Sequence, residues 1–179
     1  MRIVDGKPYL DQVKKLIIEY TNRIGRDLSF QHLDEELADL AGKYTAPEGD
    51  LLVAVEDGTV YGIIAYHRRS DRCCEIKRLY VSPQRRGGKL GEKLIAMLLE
   101  RAGNAGYAEM VLDTLEPFQA AIHLYKTFGF SECEPYYDNL MDDVIYEEGF
   151  KRTRRVSAGI DFIWNSRYDI DKVLYRIES

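Results

Sequence analysis

The residues best suited to bind a charged ligand lie at positions 85–91, which read Arg-Arg-Gly-Gly-Lys-Leu-Gly. A helix is expected directly after them, because apolar residues recur there at helical spacing, at Leu90, Leu94, Ile95, Met97, Leu98 and Leu99. The first N–H groups of a helix have no intrahelical acceptor, and the helix dipole adds about half a positive charge. Arginines, glycines and a helix N-terminus in this order predict a site for a phosphorylated ligand.

The segment before this loop predicts a strand that delivers the chain to the site. Its apolar and β-prone residues stop at the turn pair Ser82-Pro83. Two well-known phosphate loops are excluded by residue type. A nucleotide P-loop needs Ser or Thr after its lysine, but Leu90 follows Lys89, and a dinucleotide fingerprint would need glycine where Arg86 stands.

Composition limits the class of protein. The chain has 179 residues, 45% of them hydrophobic and 31% charged, which suits one globular domain with length to spare. No apolar run approaches the ~20 residues of a membrane span, the N-terminus lacks a signal-peptide pattern, and a net charge of −5 argues against nucleic acid as a partner. Three cysteines form no disulfide framework and favour a cytoplasmic location. The three histidines show no metal-ligand spacing, so no metal is expected.

The elements that must position the loop follow from periodicity and turn residues. The sequence predicts helices over 8–24 and 30–43, a hairpin over 51–67, a strand ending at Val81, a helix over 90–103, a strand near 110–112, a helix over 117–128, and strands over 130–137 and 143–148. This order indicates a mixed α/β layer. Residues 150–179 carry a basic run and spaced apolar residues, so we expect them to pack on their own domain or on a second copy in a homodimer.

Two segments resemble the GNAT family of N-acetyltransferases. Residues 86–91 are similar to the family's acyl-CoA motif, which is Gln or Arg, two variable residues, Gly, one variable residue, and Gly or Ala. Lys89 replaces the first motif glycine, and Gly88 lies one place earlier. Residues 121–130 match the family pattern Ala-x-x-Leu-Tyr-x-x-x-Gly-Phe, although Phe118 stands where the family often carries Asn.

The resemblance covers roughly residues 1–149 and implies a fold and an activity. The fold would be the GNAT acyl-CoA N-acyltransferase fold, an α/β architecture whose mixed, mostly antiparallel sheet is flanked by helices, with residues 150–179 as an extension of unknown role. The activity would be direct transfer of an acetyl group from acetyl-CoA to an amine of a small molecule or peptide. A non-catalytic acyl-CoA-binding or regulatory module is the alternative.

The same resemblance implies a set of cofactor-binding residues. The Leu79 amide would polarise the thioester carbonyl, and Val81, beyond Tyr80 on the same strand, would bond the pantetheine arm. Backbone amides would wrap the pyrophosphate at Arg86, Gly87, Gly88, Lys89, Leu90, Gly91 and Glu92.

Two further residues are candidates for proton transfer. Glu75 lies four residues before Leu79, where some family members hold a general base. A salt bridge to Lys77 on the same strand face would explain Glu75 equally well. Tyr125 matches the family's usual general acid, which protonates the leaving thiolate. Its alternative is a core tyrosine on a helix face.

Overall fold

The computed structural model describes residues 1–25, 33–139 and 141–149. Its elements, in chain order, are β1 (Arg2–Asp5), α1 (Leu10–Ile24), α2 (Leu33–Ala38), α3 (Leu40–Tyr44), β2 (Gly49–Glu56), β3 (Thr59–Arg68), β4 (Cys73–Val81), α4 (Leu90–Asn104), β5 (Glu109–Leu115), α5 (Gln119–Thr127), β6 (Ser131–Glu132) and β7 (Val144–Gly149). Short 3₁₀ turns, Lys7–Tyr9 and Pro83–Arg85, precede α1 and follow β4.

The strands form a seven-stranded sheet in the order β1-β2-β3-β4-β5-β7-β6. Strands β4 and β5 pair in parallel, whereas β1 with β2, β2 with β3, β5 with β7 and β6 with β7 pair antiparallel. The prediction of a mixed, mostly antiparallel sheet with helices is therefore confirmed. The predicted hairpin is also present, because β2 and β3 are joined by the tight turn Asp57-Gly58.

Three local predictions differ from the structure. Strand β1 was missed, because Ile3 and Val4 are too short an apolar run to separate from a coil. The helix predicted over 30–43 is two helices in the described residues, and the Asp39 carboxylate between them caps α3 by accepting from the Gly42 amide at 2.8 Å. The strand predicted over 130–137 is wrong beyond its first residues, because β6 ends at Glu132, three residues before Pro135.

The chain divides into two compact units. The first unit comprises Met1–Arg68 with Ile76–Leu98, and the second comprises Arg69–Glu75 with the described part of Leu99–Ser179. The prediction of one domain over 1–149 stays a prediction, and the expected packing of 150–179 lies outside the described residues.

The first unit is built around the β2–β3 hairpin. Helix α1 buries one apolar face, and this face joins α3 and the inward side chains of β2 and β3 in a single core, whose members include Val13, Ile17, Leu40, Tyr44, Leu51, Val53, Ile63 and Ala65. Helix α4 contacts the same hairpin at Gly62, where a Cβ would lie 3.1 Å from the Leu94 side chain. The absence of a side chain at Gly62 is what allows α4 to lie this close to β3.

The second unit holds β5 between the start of β4 and strand β7. Cys73, Cys74 and Glu75 pair with Glu109, Met110 and Val111, and the rest of β5 pairs with β7. Buried side chains from β5 and from the region of α5 form its interior, among them Met110, Leu112, Leu115, Ile122, Tyr125, Phe128 and Phe130.

Neither a membrane span nor a metal site is found in the described ranges. No helix there is both long enough and apolar enough to cross a bilayer. The same residues contain no group of His, Cys, Asp or Glu side chains that could hold a metal ion.

Candidate functional site

The predicted phosphate loop lies in the first unit, between the end of β4 and the start of α4. After the 3₁₀ turn the backbone becomes extended at Arg86, with φ −72° and ψ 160°. Gly87 then has φ +83° and Lys89 has φ +56°, and the helix begins at Leu90. Two left-handed residues in three positions turn the strand sharply into the helix, and this conformation requires glycine or some strain.

The space beside the two loop glycines is open. A Cβ placed at Gly87 or Gly88 would meet no atom within 4 Å. The first-turn N–H groups of α4 lack intrahelical acceptors by helix geometry. The Arg86 amide, in contrast, donates to the Pro83 carbonyl at 3.4 Å, so the amides available to an anion begin at Gly87. This arrangement of bare amides at a helix N-terminus fits a pyrophosphate.

Lys89 occupies the position at which the family motif has glycine, and its backbone is left-handed, with φ +56°. Such a conformation costs a lysine roughly 1–2 kcal/mol. Its side chain is 73% exposed, and the ammonium lies 4.0 Å from the Glu92 carboxylate. The substitution therefore preserves the turn and adds an exposed cation at the loop.

The two arginines of the loop both contact other residues of the first unit. The Arg85 guanidinium lies over the Tyr61 ring at 4.7 Å and pairs with Glu56. Arg86 donates from Nε to the Val81 carbonyl at 3.1 Å. The Val81 carbonyl thus has a donor within the protein, and the predicted bond between Val81 and the pantetheine arm stays a prediction.

Tyr80 and Leu79 precede this carbonyl on β4. The Tyr80 ring lies 5.8 Å below the Arg86 guanidinium, and its hydroxyl donates to Glu19 at 2.8 Å. Burial, followed by that hydrogen bond, raises the pKa of Tyr80. Leu79 is half-buried and follows Arg78, whose φ is +60°. The structure therefore places the whole predicted cofactor set, from Leu79 to Glu92, in the first unit.

Glu75 belongs to the second unit, where it is buried and bonded. It is 2% exposed, and its carboxylate accepts from Arg69 Nη1 at 3.2 Å and from the Tyr136 hydroxyl at 3.0 Å. The Arg69 guanidinium also lies 4.5 Å from the centre of the Tyr136 ring. Glu75 thus forms an ion pair with Arg69, and the expected salt bridge to Lys77 stays a prediction.

Tyr136 is part of a cluster of three tyrosines, whose contacts with one another the sequence did not predict. The rings of Tyr136, Tyr137 and Tyr146 lie 5.1–5.5 Å apart, two pairs of them edge to face. The Tyr137 hydroxyl donates to Asp113 at 2.9 Å, and Tyr146 donates to the Tyr137 carbonyl at 3.1 Å. Burial and the neighbouring carboxylates raise the pKa of Tyr136 and Tyr137 well above the usual range. These tyrosines therefore act as hydrogen-bond donors at neutral pH.

Tyr125 lies on α5, also in the second unit. It is 6% exposed, and its ring meets Phe130 at 5.9 Å in an edge-on arrangement. The packing agrees with the core-tyrosine explanation, and the general-acid role stays a prediction. Phe118, at the N-cap of α5, makes no side-chain capping bond.

The cysteines are poor nucleophiles in this structure. Cys73, Cys74 and Cys133 are free thiols. Burial raises the pKa of Cys74 far above its ordinary value, and burial together with the Glu109 charge raises the pKa of Cys73. Because the thiolate is the reactive form, these shifts disfavour a covalent intermediate at either residue.

Comparison with known sequences gives one family. The profile of the Acetyltransferase (GNAT) family matches residues 13–130. An uncharacterised N-acetyltransferase of Schizosaccharomyces pombe is 46% identical over 139 residues, which cover 76% of this chain and 85% of that protein. An uncharacterised N-acetyltransferase of Dictyostelium discoideum is 28% identical over 200 residues, covering 78% of this chain and 93% of that protein.

Comparison with solved structures gives the same fold. An acetyltransferase from Streptococcus agalactiae matches 82% of this chain and 96% of its own, with a TM-score of 0.69 and 24% identity. An aminoglycoside 6′-N-acetyltransferase complexed with coenzyme A matches 87% of this chain and 99% of its own, with a TM-score of 0.63 and 17% identity.

Proposed function

Since this chain belongs to the Acetyltransferase (GNAT) family and is an acetyl-CoA-dependent N-acetyltransferase, we propose that its acceptor is the amine of a small molecule or a peptide. The observation that supports the cofactor site best is the loop at Gly87 and Gly88. Its open space and bare amides suit the close approach of a pyrophosphate.

We propose distinct roles for the residues of the first unit. Bound acetyl-CoA supplies a thioester, whose acyl carbon is the centre to be attacked. The Leu79 amide polarises its carbonyl, Val81 and Tyr80 support the pantetheine arm, and the amides of residues 87–92 hold the pyrophosphate. Hydrogen bonds to charged groups contribute about 1.5–3 kcal/mol each, so three amides are enough without a lysine ligand.

Proton transfer is assigned to the second unit. An aliphatic amine with pKa near 10.4 must lose a proton at pH 7, which costs roughly 4.6 kcal/mol. We propose Glu75 as the base, directly or through a water, and Tyr125 as the acid that protonates the thiolate. Direct attack is preferred to a cysteine intermediate, because burial raises the pKa of the Cys74 thiol.

The bonding of Glu75 favours a second candidate role for this residue, that of a structural ion-pair partner. A carboxylate already bonded to Arg69 and Tyr136 can be purely structural. We propose a cytoplasmic location, in keeping with the three free thiols. We propose no nucleic-acid or membrane partner, and a homodimer as the assembly that the C-terminal extension would complete.

A screen of amines and peptides for acetyl-CoA-dependent release of CoA tests the function directly. Turnover identifies the acceptor class. Binding of acetyl-CoA with no turnover for any small-molecule or peptide amine in the panel would contradict the proposed acceptor.

Replacing Glu75 by glutamine tests the base. We expect CoA affinity to stay within about twofold, because no cofactor contact is assigned to this side chain. The rate should fall most at low pH, where the amine holds its proton most strongly, and about 10²-fold is the expected loss there. The measurement is the pH dependence of kcat/KM for wild type and variant.

Arg69→Met is the matched control for Glu75→Gln, because it removes a partner of the same carboxylate and keeps the carboxylate itself. If Glu75 is the base, the pH–rate profile of Arg69→Met should keep an acid limb, and this limb should move to higher pH because the carboxylate has lost a neighbouring cation. If Glu75→Gln keeps the wild-type profile, Glu75 is an ion-pair partner and nothing more.

Replacing Tyr125 by phenylalanine tests the acid. The ring and its contact with Phe130 remain, so the protein should stay folded. We expect kcat to fall by about a hundredfold with little change in CoA affinity, since the thiolate forms only late in the reaction. Wild-type turnover in this variant would make Tyr125 a core residue that happens to match the motif.

A further inference from the structure

A buried ion pair in the first unit joins helix α2 to strand β4. Arg78 Nε donates to Glu36 Oε1 at 2.5 Å, and the two side chains are 7% and 3% exposed. The other carboxylate oxygen, Glu36 Oε2, accepts from Lys43 Nζ at 2.6 Å. Both oxygens of Glu36 are thus satisfied, one by β4 and the other by α3.

This pair stays ionised at any working pH. Burial by itself would raise the pKa of Glu36, but the hydrogen bond from Arg78 and the charges of Arg78 and Lys43 lower it to about 2. Both side chains are less than a tenth exposed, so water has little access to the pair. A buried ion pair contributes little to net stability, because desolvation offsets the Coulomb attraction. Its presence calls for a reason other than stability.

The left-handed backbone of Arg78 indicates what the ion pair does. Its φ of +60° is left-handed, although it lies within β4 and carries a long side chain. A non-glycine residue in this region is strained and persists only where its surroundings hold it. The anchored guanidinium is a restraint that can hold it, because a relaxed strand would point the side chain elsewhere. The left-handed residue also turns the peptide that follows it, whose N–H belongs to Leu79.

We infer that Arg78 and Glu36 are a positioning pair for acetyl transfer, whose ion pair holds the strand in the left-handed turn that orients the Leu79 amide. This inference rests on the proposed role of that amide toward the thioester. Neither side chain is a catalytic residue, because each acts only through the backbone. The pair also makes the orientation of the amide depend on the placement of α2.

The test replaces the pair by apolar residues of similar size, Glu36→Leu with Arg78→Met. Such replacements of buried pairs are often neutral for folding, so the variant should fold. CoA affinity should stay within about twofold, because the loop amides at residues 87–92 are unchanged. The value of kcat should fall tenfold to a hundredfold, as expected when a polarising donor is misplaced.

A spectroscopic readout separates positioning from general damage. In wild type the carbonyl stretch of acetyl-CoA, labelled with ¹³C at the acetyl carbonyl, should shift to lower frequency on binding, because Leu79 donates to it. In the double variant the bound frequency should return toward that of free acetyl-CoA. Lys43→Met, which removes the other cation of Glu36 and leaves the Arg78 bond, should keep the wild-type frequency and a kcat within about twofold.

The outcomes distinguish this inference from the function on which it rests. If wild type shows no shift, the role of Leu79 is wrong and the inference falls with it. If the carbonyl frequency of bound acetyl-CoA shifts equally in wild type and double variant, and kcat is the same, the role of Leu79 stands. The positioning role of Arg78 and Glu36 is then overturned. Should the double variant not fold, Glu36→Gln is the replacement, because it keeps the shape of Glu36 and weakens the ion pair with Arg78. We expect the same fall in kcat and the same return of the carbonyl frequency.

Discussion

Replacing Gly88 by glutamate is expected to weaken CoA binding by about a thousandfold without unfolding the protein. The position is exposed, and a Cβ there meets no atom within 4 Å, so the free protein can accommodate the side chain. In the complex the same space would be filled by the pyrophosphate, and the carboxylate would add bulk and negative charge against it. Losing two charge-assisted hydrogen bonds, at about 1.5–3 kcal/mol each, costs roughly 4 kcal/mol, which is a factor of about 10³.

Calorimetric titration with CoA measures this effect, and Gln84→Glu is its matched control. That variant adds the same charge to an exposed residue of the preceding 3₁₀ turn, outside the run of amides assigned to the ligand. Its affinity should change by less than about fivefold, since an exposed charge is screened within about 10 Å at 0.1 M salt. Equal affinity of wild type and Gly88→Glu for CoA would remove this loop from the binding site.

The loop could be predicted from sequence because its determinants are local. Glycines, a proline turn and an apolar helical face lie within one stretch, and together they specify strand, turn and helix. The sequence did not predict that Lys89 would adopt a left-handed backbone. That conformation is imposed by the strand before it and the helix after it, which outweigh the preference of a lysine.

Long-range partners could not be predicted, because no periodicity encodes them. Glu75 was matched to Lys77 since the two are neighbours on a strand, whereas its hydroxyl donor, Tyr136, lies 61 residues away in the chain. Glu36 meets Arg78 across 42 residues, and no local signal marks an arginine for a left-handed conformation. Pairings of this kind follow from the packed fold.

The burial of Glu147 could not be predicted from the sequence either. The segment Val144–Gly149 is the strand that the sequence predicted. A glutamate at its fourth position would be expected to face solvent. In the fold Glu147 is 0% exposed, and neither carboxylate oxygen has a hydrogen-bond partner in the described part of the chain. It stands opposite Leu112 on one neighbouring strand and opposite Glu132 on the other. Sequence alternation cannot show that β7 is covered on both faces.

Burial gives Glu147 a strong effect on stability near neutral pH. Loss of solvation, aided by the Glu132 charge and opposed by the Lys126 charge, raises its pKa from 4.5 to about 7. A raised folded-state pKa means that the protonated form stabilises the protein fully below pH 4.5 and that this stabilisation is lost as pH rises through about 7. At 1.36 kcal/mol per pH unit, the loss is about 3 kcal/mol.

Glu147→Leu should therefore remove a pH dependence as well as a buried charge. The difference in unfolding free energy between variant and wild type should grow by about 3 kcal/mol in favour of the variant between pH 4.5 and 7.5, and level off above that range. Urea unfolding at pH 4.5, 5.5, 6.5, 7.5 and 8.5 gives this difference directly, and every group that titrates alike in both proteins cancels from it. Exposed Glu134, changed to glutamine, is the control, whose difference from wild type should stay nearly constant. A constant difference for Glu147→Leu as well would mean that Glu147 titrates alike in the folded and unfolded chain, and that water or a cation reaches its carboxylate.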